Sequence, residues 1–527
     1  MPGELGDNKG FYFPQASAPP AWTPTVMNAV APFPFADLTP APVWRHFATL
    51  CAIPRPSKHE AALRAHLAAW ATERGLATEQ DGAGNLLIRK AGSPGREDEA
   101  GVILQGHLDM VCQKNSGTDH DFHRDPIRPV RDGDWLVAPD TTLGADNGLG
   151  VALALTVLEA EDLSHPPLEV LLTVDEEAGM GGALGLQPDW LRGTRLINID
   201  TEEWGHFYLG CAGGLDVNVD WTLPSEPAPA GWTAARIDLA GLRGGHSGID
   251  IDKGRGNAIK LLVRLLLDLA DAHPGAFRLT GLDGGTARNA LAREASATIA
   301  LNPASLADLQ ATLLEKAAVI GREYAGVEDR LSARLSTGAA DEAPSPVLSD
   351  AAQAALLAAF NAAPHGVARM SQSVAGVVET SNNLGVLTLA GGRARANFMV
   401  RSLVDSAALA HARAIADLFA LLGPDCRVTT GDNYPGWQPN PESPLLALAQ
   451  DVFAKEFPAD NGGVAKVEVI HAGLECGIIG AAYPGLDMLS FGPTIRGAHA
   501  PGERVEVASV AKCWHLLTAL LAALPAR

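Results

Sequence analysis

Three short apolar segments each run directly into acidic residues, and this feature constrains the fold more than any other. They are GVILQGHLD (101–109), LEVLLTVDEE (168–177) and TRLINID (194–200). Continuous Val, Ile and Leu content is typical of strands buried on both faces, and the intervening NGLGVALALTVLEAED (147–162) predicts a helix. The pattern indicates an α/β fold with a central sheet covered by helices, in which ligands gather at the carboxyl ends of the strands.

A chain of 527 residues is too long for one core, so at least two domains are expected. After residue 214 the pattern of apolar and polar residues changes. WTAARIDLAGL (232–242) and REASATIAL (293–301) alternate apolar and polar residues, as half-exposed antiparallel strands do. Long Ala/Leu-rich helices separate these strands. Helix and strand alternate again near the C-terminus, which predicts an α+β domain inserted into the first. The predicted divisions are a Pro-rich extension (1–35), a catalytic domain formed by two segments (36–214 and 431–527), and an inserted lid between them (215–430).

Two local patterns predict finer features of these domains. Ser57-Lys-His-Glu60 has the form of a capping box opening a helix that ends at Gly75. GGTARNALAR (284–293) is echoed by GGRARANFMVR (391–401). This echo indicates either a lid of two duplicated halves or chance similarity in an Ala/Arg-rich chain.

Composition and termini exclude several classes of protein. The net charge of −21 argues against nucleic-acid binding, which needs clustered Lys and Arg. We find no apolar stretch of about 18 residues, the minimum for a membrane-spanning helix. The N-terminus lacks the basic and apolar regions of a secretory signal. Six scattered cysteines favour reduced thiols in a cytoplasmic enzyme over a disulfide framework.

The chemistry is expected where the acidic strand ends meet, because His and carboxylate side chains without cysteine suit zinc, cobalt or manganese. Such a set is too large for one tetrahedral ion with an open position, and it fits two ions roughly 3.5–4 Å apart. Each residue alone has an ordinary explanation as a turn former, a cap or a loop residue; only their convergence indicates a site. The candidate residues are His107, Asp109, Asp146, Glu176, Glu177, Asp200 and His499.

Glu176 and Glu177 raise a separate question, because neighbouring buried carboxylates repel each other and lose hydration. A pair of cations removes that cost for the glutamate that becomes a ligand. The other glutamate is then free to accept a proton from water. We therefore expect a division of labour between a metal ligand and a general base.

The motifs GHLDMV, TTLGADNGLGVA, TVDEEAGMGGA, NIDTEEWG and RGAHAPGE resemble those of the co-catalytic zinc metallopeptidases related to aminoacylase and glutamate carboxypeptidase. GGHSGIDI, VETSNNLG, YPGWQPNPESPLL and HAGLECG extend the resemblance to the aminoacyl-histidine dipeptidases (Xaa-His dipeptidases). It covers the chain from about residue 38 onward. It implies a phosphorylase/hydrolase-like zinc-peptidase domain with a mixed sheet, an inserted α+β lid, and a cytoplasmic homodimer formed through the lid.

The resemblance also implies roles for the candidate residues. His107 and Asp200 would hold one ion, and Glu177 and His499 the other. Asp146 would bridge both ions, and Asp109 would orient His107. Glu176 would be the general base. In relatives, the bond that corresponds to Asp146–Asn147 is a cis peptide.

Substrate contacts are expected from the lid and the last third of the chain. His246 would stabilise the oxyanion, unless it only caps a Gly-rich turn. Asn289 and Arg401 would bind the substrate backbone and C-terminal carboxylate, unless they form structural pairs, and Glu475 would meet the free amine. The expected reaction is hydrolysis of unblocked dipeptides, preferentially Xaa-His, by water activated at two metal ions, most simply zinc. The alternatives are another peptidase or N-acyl amino acid deacylase of the superfamily, or a non-catalytic binding protein.

Overall fold

A computed structural model of the chain describes residue 35, residues 37–337 and residues 346–525. The helices within these residues are Ala41–Ala52 (α1), Ala61–Glu73 (α2), Ala145–Glu159 (α3), Gly181–Leu184 (α4), Ala258–Ala272 (α5), Leu306–Glu323 (α6), Asp350–Ala362 (α7), Asp405–Ala420 (α8), Pro444–Glu456 (α9), Glu475–Ala482 (α10) and Val507–Ala523 (α11). The strands are Ala77–Gln80 (β1), Leu86–Lys90 (β2), Val102–His107 (β3), Val130–Asp132 (β4), Trp135–Val137 (β5), Leu168–Thr173 (β6), Arg195–Asn198 (β7), His206–Cys211 (β8), Gly213–Thr222 (β9), Ser225–Glu226 (β10), Thr233–Ala240 (β11), Gly245–His246 (β12), Phe277–Gly284 (β13), Ala290–Leu291 (β14), Ala295–Leu301 (β15), Ser332–Thr337 (β16), Val347–Leu348 (β17), Gly366–Met370 (β18), Val378–Ala390 (β19), Arg393–Ser402 (β20), Cys426–Tyr434 (β21), Lys466–Ile470 (β22), Asp487–Ser490 (β23), Ile495–Arg496 (β24) and Arg504–Glu506 (β25).

The first large sheet has eight strands in the order β1-β2-β6-β3-β7-β23-β8-β22. The strands β6, β3, β7 and β23 are successive parallel neighbours, whereas β1, β2 and β6 pair antiparallel. Every residue of β3 and β6 is buried, as their apolar sequences predict. The predicted mixed α/β sheet is confirmed, and three of its parallel strands end side by side.

The second large sheet has the strand order β16-β11-β15-β13-β19-β20-β9-β21, with β18 paired to β19. All of its neighbouring strands run antiparallel. Apolar residues of α5, α6, α7 and α8 form one core with this sheet. The expected inserted α+β unit is therefore present, and we refer to this sheet and its helices as the lid.

The buried apolar residues separate into two main cores. One core uses residues of 35–212, Leu403 and residues of 437–524, and the other uses residues of 215–426. The predicted boundaries at 36–214, 215–430 and 431–527 stay a prediction. The predicted extension 1–35 lies outside the described residues except for Phe35, which is buried. None of the helices in the described ranges combines the length and apolar content needed to cross a bilayer.

The two chain segments that join the lid to the rest of the protein pair with each other. Cys211 N donates to Trp437 O at 3.0 Å, and Trp437 N donates to Cys211 O at 2.9 Å. Beside this pair the chains pass so closely that a Cβ on Gly213 would lie 2.5 Å from Gly436 N. The lid also touches the catalytic domain directly, through a 2.8 Å contact between Ser381 Oγ and His471 Nε2.

The predicted capping box is wrong, although its helix α2 is present and Gly75 follows it in a left-handed conformation (φ 72°). The Ser57 hydroxyl donates to Asp109 Oδ2 at 2.7 Å instead of capping the helix. Glu60 Oε1 accepts from Lys58 N and Asp175 N. Tertiary partners thus replace the local hydrogen bonds that the sequence pattern predicts.

Candidate metal centre

Three adjacent parallel strands place the first group of candidate residues together. His107 is the last residue of β3, and Asp200 follows the end of β7 by two positions. Glu176 and Glu177 lie just beyond the end of β6. Because β6, β3 and β7 are neighbours and parallel, their carboxyl ends bring these side chains to one edge of the sheet.

Asp146 reaches the same place from a tight turn at the start of α3. Gly144 adopts the left-handed conformation (φ 69°), which a residue without Cβ adopts at little cost. The bond from Asp146 to Asn147 is cis, as the resemblance implies. The regular helix begins only after these two residues, because both have non-helical backbone angles.

The two oxygens of Asp146 face two different histidines. Asp146 Oδ1 lies 3.1 Å from His107 Nε2, and Asp146 Oδ2 lies 3.2 Å from His499 Nε2. His107 Nε2 is also 3.4 Å from Asp200 Oδ1, and His499 Nε2 is 3.2 Å from Glu177 Oε2. The five side chains therefore form two pairs that share one central carboxylate.

Asp109 holds two components of this arrangement at once. Its carboxylate lies 3.4 Å from His107 Nδ1, and it also accepts the backbone N–H groups of Glu176 and Glu177, each at 3.0 Å. Burial disfavours its charged form, but the hydrogen bonds from His107, Ser57 and Glu176 N outweigh that effect and lower its pKa to about 2. An ionised Asp109 thus orients the His107 ring and fixes the backbone of the glutamate pair.

The cluster carries more buried negative charge than its own side chains compensate. Burial, together with the nearby Asp146 and Glu475, raises the pKa of Asp200 to about 8, although His107 opposes the shift. Burial also raises the pKa of Glu176 well above its ordinary value, with Glu177 and Asp200 contributing. Hydrogen bonds to Asp146 and Glu177 raise the pKa of His499 to about 11. A protein site with these pKa shifts favours the binding of positive charge.

The residues fit divalent metal ions on two further observations. One nitrogen of His107 and one oxygen each of Asp146 and Glu177 lie within 4.8 Å of one another, as ligands of a shared centre must. Glu177 Oε1 is buried and has no hydrogen-bond partner among the described residues. An unpartnered buried carboxylate oxygen is costly unless a cation meets it. The donor set of imidazole and carboxylate suits zinc, cobalt or manganese.

His246, in the lid, is near enough to His499 for the charge of His499 to lower its pKa, and it has a defined protonation state. His246 Nδ1 accepts the N–H groups of Gly248 and Ile249, each at 3.1 Å, so the proton of the neutral ring lies on Nε2. Burial, followed by the charge of Arg401, lowers the pKa of His246 to about 4. His246 therefore caps the turn through Nδ1, and its neutral ring also presents a hydrogen-bond donor at Nε2.

Arg401 lies beside that donor and is nearly fully buried. Its guanidinium donates to Ser247 Oγ at 3.2 Å and to Tyr434 Oη at 3.0 Å. Its Nη2 is 3.5 Å from His246 Nε2. Two donor groups facing each other at this distance converge on a space that suits an anionic acceptor.

Asn289 and Arg401 lie in the echoed segments 284–293 and 391–401, but Asn289 does not lie on a strand. Asn289 is an exposed turn residue before β14, whereas Arg401 lies within the ten-residue strand β20. The backbone carbonyl of Asn289 accepts the Ser247 N–H at 2.8 Å. This hydrogen bond lies beside the pairing of β14 with β12, the strand that carries His246. The echo in sequence therefore corresponds to different local structures at these two residues.

Glu475 is expected to contact the free amine of the substrate, and this role stays a prediction. Its side chain is fully buried, and its Oε2 accepts from Gln105 Nε2 and Thr173 Oγ1, both at 2.6 Å. Gln105 precedes His107 by two positions on β3, so both point to the same side of the sheet. Burial raises the pKa of Glu475 to about 7, and its other oxygen, Oε1, has no hydrogen-bond partner among the described residues.

Four residues of the site have no assignment in the sequence analysis. Ser57 and Tyr434 contact Asp109 and Arg401, and Arg55 and Glu503 bond to the backbone of the ligand-bearing loops. Glu503 and Tyr434 have a sequence signal, because Glu503 ends the motif RGAHAPGE and Tyr434 begins the motif YPGWQPNPESPLL. The others act through tertiary hydrogen bonds that leave no local pattern.

Comparisons with known proteins identify relatives of this chain. A family model described as peptidase family M20/M25/M40 matches residues 103–523. The chain is 44% identical to the cytosol non-specific dipeptidase of Escherichia coli (strain K12) over 491 residues, which are 93% of this chain and 99% of that protein. The crystal structure of aminoacylhistidine dipeptidase from Vibrio alginolyticus is similar with a TM-score of 0.82 and 42% identity, covering 93% of this chain and 98% of that one. A tripeptidase from Staphylococcus aureus shares the fold at 16% identity and a TM-score of 0.52, covering 92% of this chain and 98% of that one.

Proposed function

The chain belongs to peptidase family M20/M25/M40, and from this membership we propose that it is a dipeptidase dependent on two divalent metal ions. Its proposed substrates are unblocked dipeptides, preferentially Xaa-His peptides such as carnosine. One observation carries the proposal: the two oxygens of Asp146 face separate ligand pairs, at 3.1 Å from His107 Nε2 and 3.2 Å from His499 Nε2. A carboxylate in this position suits a bridge between two cations.

The proposed ligands follow from these pairs. His107 and Asp200 would hold one ion, Glu177 and His499 the second, and Asp146 both. Imidazole and carboxylate ligands favour zinc, with cobalt and manganese as alternatives. When bound, two such ions polarise a peptide carbonyl and lower the pKa of water.

We propose that Glu176 is the general base. Its backbone N–H is fixed by Asp109 at 3.0 Å, so its position does not depend on binding an ion. Burial raises its pKa well above the ordinary value, and a base works best when its pKa lies near the working pH. Glu176 would take a proton from the attacking water and later deliver it to the leaving amine.

The lid would supply the remaining contacts to the substrate. His246 Nε2–H would donate to the oxygen of the scissile carbonyl as negative charge develops there. Arg401 would bind the C-terminal carboxylate, because its planar fork donates two parallel hydrogen bonds. Asn289 stays a candidate contact for the substrate backbone.

Location and assembly complete the proposal. The E. coli relative is named a cytosol enzyme, which supports a cytoplasmic location for this chain. We also propose a homodimer formed through the lid, where β16 is an edge strand of the nine-stranded sheet. Edge strands can pair with a second chain. Analytical ultracentrifugation tests this assembly, and a purely monomeric protein would contradict it.

The experiment that tests the function combines metal content with a substrate panel. Elemental analysis should find two divalent ions per chain, and chelation should abolish hydrolysis of β-alanyl-histidine until metal is restored. The panel compares Xaa-His dipeptides, other dipeptides, tripeptides and N-acetyl amino acids. Preferential cleavage of tripeptides or N-acetyl amino acids would instead identify another peptidase or a deacylase.

A further inference from the structure

The turn that carries Asp146 is held by a buried carboxylate from the far end of the chain. Glu503 Oε2 accepts the N–H groups of Leu143 and Gly144 at 2.7 and 2.9 Å. Glu503 Oε1 accepts those of Ala145 and Asp146 at 2.8 and 3.4 Å. Four consecutive backbone donors thus converge on one side chain that is only 2% exposed.

A buried arginine holds the same turn from its carbonyl side. Arg55 Nη2 donates to Gly144 O at 2.6 Å, and Arg55 Nη1 donates to Leu108 O and Asp109 O at 2.9 and 2.7 Å. Arg55 is 2% exposed. It thereby joins the turn to the segment that follows β3. No Cβ fits at Gly148, where it would lie 2.8 Å from Arg55 Nη2.

Loop anchoring alone does not require a charge at position 503. A buried carboxylate adds repulsion to a region that already holds several acidic side chains, and losing its hydration is costly. Arg55 offsets that charge. Glu503 lies four positions after His499 and binds the turn that ends at Asp146. One side chain therefore fixes the separation between the two loops that carry His499 and Asp146.

We propose that Glu503 and Arg55 form a backbone clamp that sets the position of Asp146 relative to His499 and His107. This inference rests on the proposed function, because it assigns the clamp a role in metal binding. Glu503 is then a positioning residue. It contacts neither substrate nor metal, and it determines whether both oxygens of Asp146 can be used as ligands.

The test measures metal affinity in the absence of substrate. Glu503→Gln replaces one oxygen by an amide group that faces backbone donors, so one pair of N–H groups loses its acceptor. We expect its affinity for Zn²⁺ or Co²⁺, measured by competition with a chromophoric chelator, to fall roughly 10–100-fold, as for other residues that support metal ligands. The visible spectrum of the Co²⁺-loaded protein should change as well. Glu506→Gln is the matched control, because Glu506 lies three positions further and makes no capping hydrogen bond.

Several outcomes separate the clamp from a purely structural role. A Glu503→Gln variant with lower thermal stability but unchanged affinity and Co²⁺ spectrum would overturn the proposal. If that variant does not fold, Arg55→Lys decides by the same measurement, because lysine keeps the charge and loses the fork; unchanged affinity there also overturns it. If the wild-type protein binds no metal, the proposed function fails together with the clamp. If the wild-type protein binds metal and the variants bind it with the same affinity, the clamp alone is wrong.

Discussion

Replacing Gly248 by alanine should obstruct the contact between the lid and the catalytic domain while leaving every proposed metal ligand unchanged. Gly248 is a buried residue of the lid, and a Cβ added there would lie 1.8 Å from the carbonyl oxygen of His471. The backbone of Gly248 is outside the left-handed region, so alanine is strained only by its contacts, this one and a looser one at 3.0 Å to Arg401 Cδ. The obstacle is a backbone atom, which cannot rotate away as a flexible side chain can.

The structure gives the size of the effect. The lid loop and the carbonyl must separate by about 1.2 Å to reach the 3.0 Å below which real Cβ contacts essentially never fall. His246 lies two positions away, and its Nδ1 accepts the Gly248 N–H at 3.1 Å, so the imidazole moves with the loop. A displacement of about 1 Å can cost about 10²-fold in rate. We therefore expect kcat/KM to fall about 100-fold, or about 2.7 kcal/mol of transition-state stabilisation.

The assay is steady-state hydrolysis of an Xaa-His dipeptide, with metal content measured on the same samples. Gly321→Ala is the matched control, because this glycine also lies in the lid and an added Cβ meets nothing within 4 Å. The control should keep wild-type kinetics. A Gly248→Ala enzyme within about twofold of wild-type kcat/KM would refute the reasoning. Loss of the metal ions would also refute it, since the lid would then support the centre itself.

Three further predictions address the centre and the substrate pocket. Glu176→Ala should retain both metal ions by elemental analysis and lose roughly 10²–10⁴-fold in kcat, the usual contribution of a general base; near-wild-type turnover would remove that role. Arg401→Met should lower kcat/KM for dipeptides by about tenfold or more, because a charged hydrogen bond is worth about 1.5–3 kcal/mol. C-terminally amidated dipeptides should be affected much less, and an equal loss for both would argue against a carboxylate contact. Burial raises the pKa of Asp200 to about 8 and hydrogen bonds raise that of His499 to about 11, so both side chains are protonated at pH 7 and must lose a proton to bind metal. Metal binding at pH 7 should therefore release protons and strengthen as pH rises toward 8. Calorimetry in buffers of different ionisation enthalpy measures this release, and buffer-independent heats would contradict it.

The sequence predicts the ligands at strand ends well, because a single pattern places them. Buried parallel strands need continuous apolar residues, and their carboxyl ends meet at one edge of the sheet. His107, Glu177 and Asp200 follow directly from that rule. Asp146 and His499 sit in loops, and no periodicity relates two loops to each other. Their inclusion depends on the resemblance to known motifs.

The failures have an equally specific cause. Glu475 begins α10 after a loop, and because a sequence pattern carries no measure of depth, it does not predict that this side chain is fully buried. Ser57 matches a capping pattern, but its hydroxyl bonds to a tertiary partner, Asp109. Arg55 bonds only to backbone carbonyls, and such acceptors exist at every residue. Hydrogen bonds of this kind become visible only in three dimensions.

The separation of Asp146 and His499 by 353 positions has a consequence for how the living cell makes this protein. Translation proceeds from the N-terminus, and early domains fold first. His107, Asp146, Glu177 and Asp200 all emerge before the lid, whereas His499 emerges after it. If the proposed ligand assignment is right, a nascent chain lacks one ligand until synthesis is nearly over, so that cations would load late, after translation. A premature stop codon ahead of His499 would yield a polypeptide with most of its ligands and no closed centre.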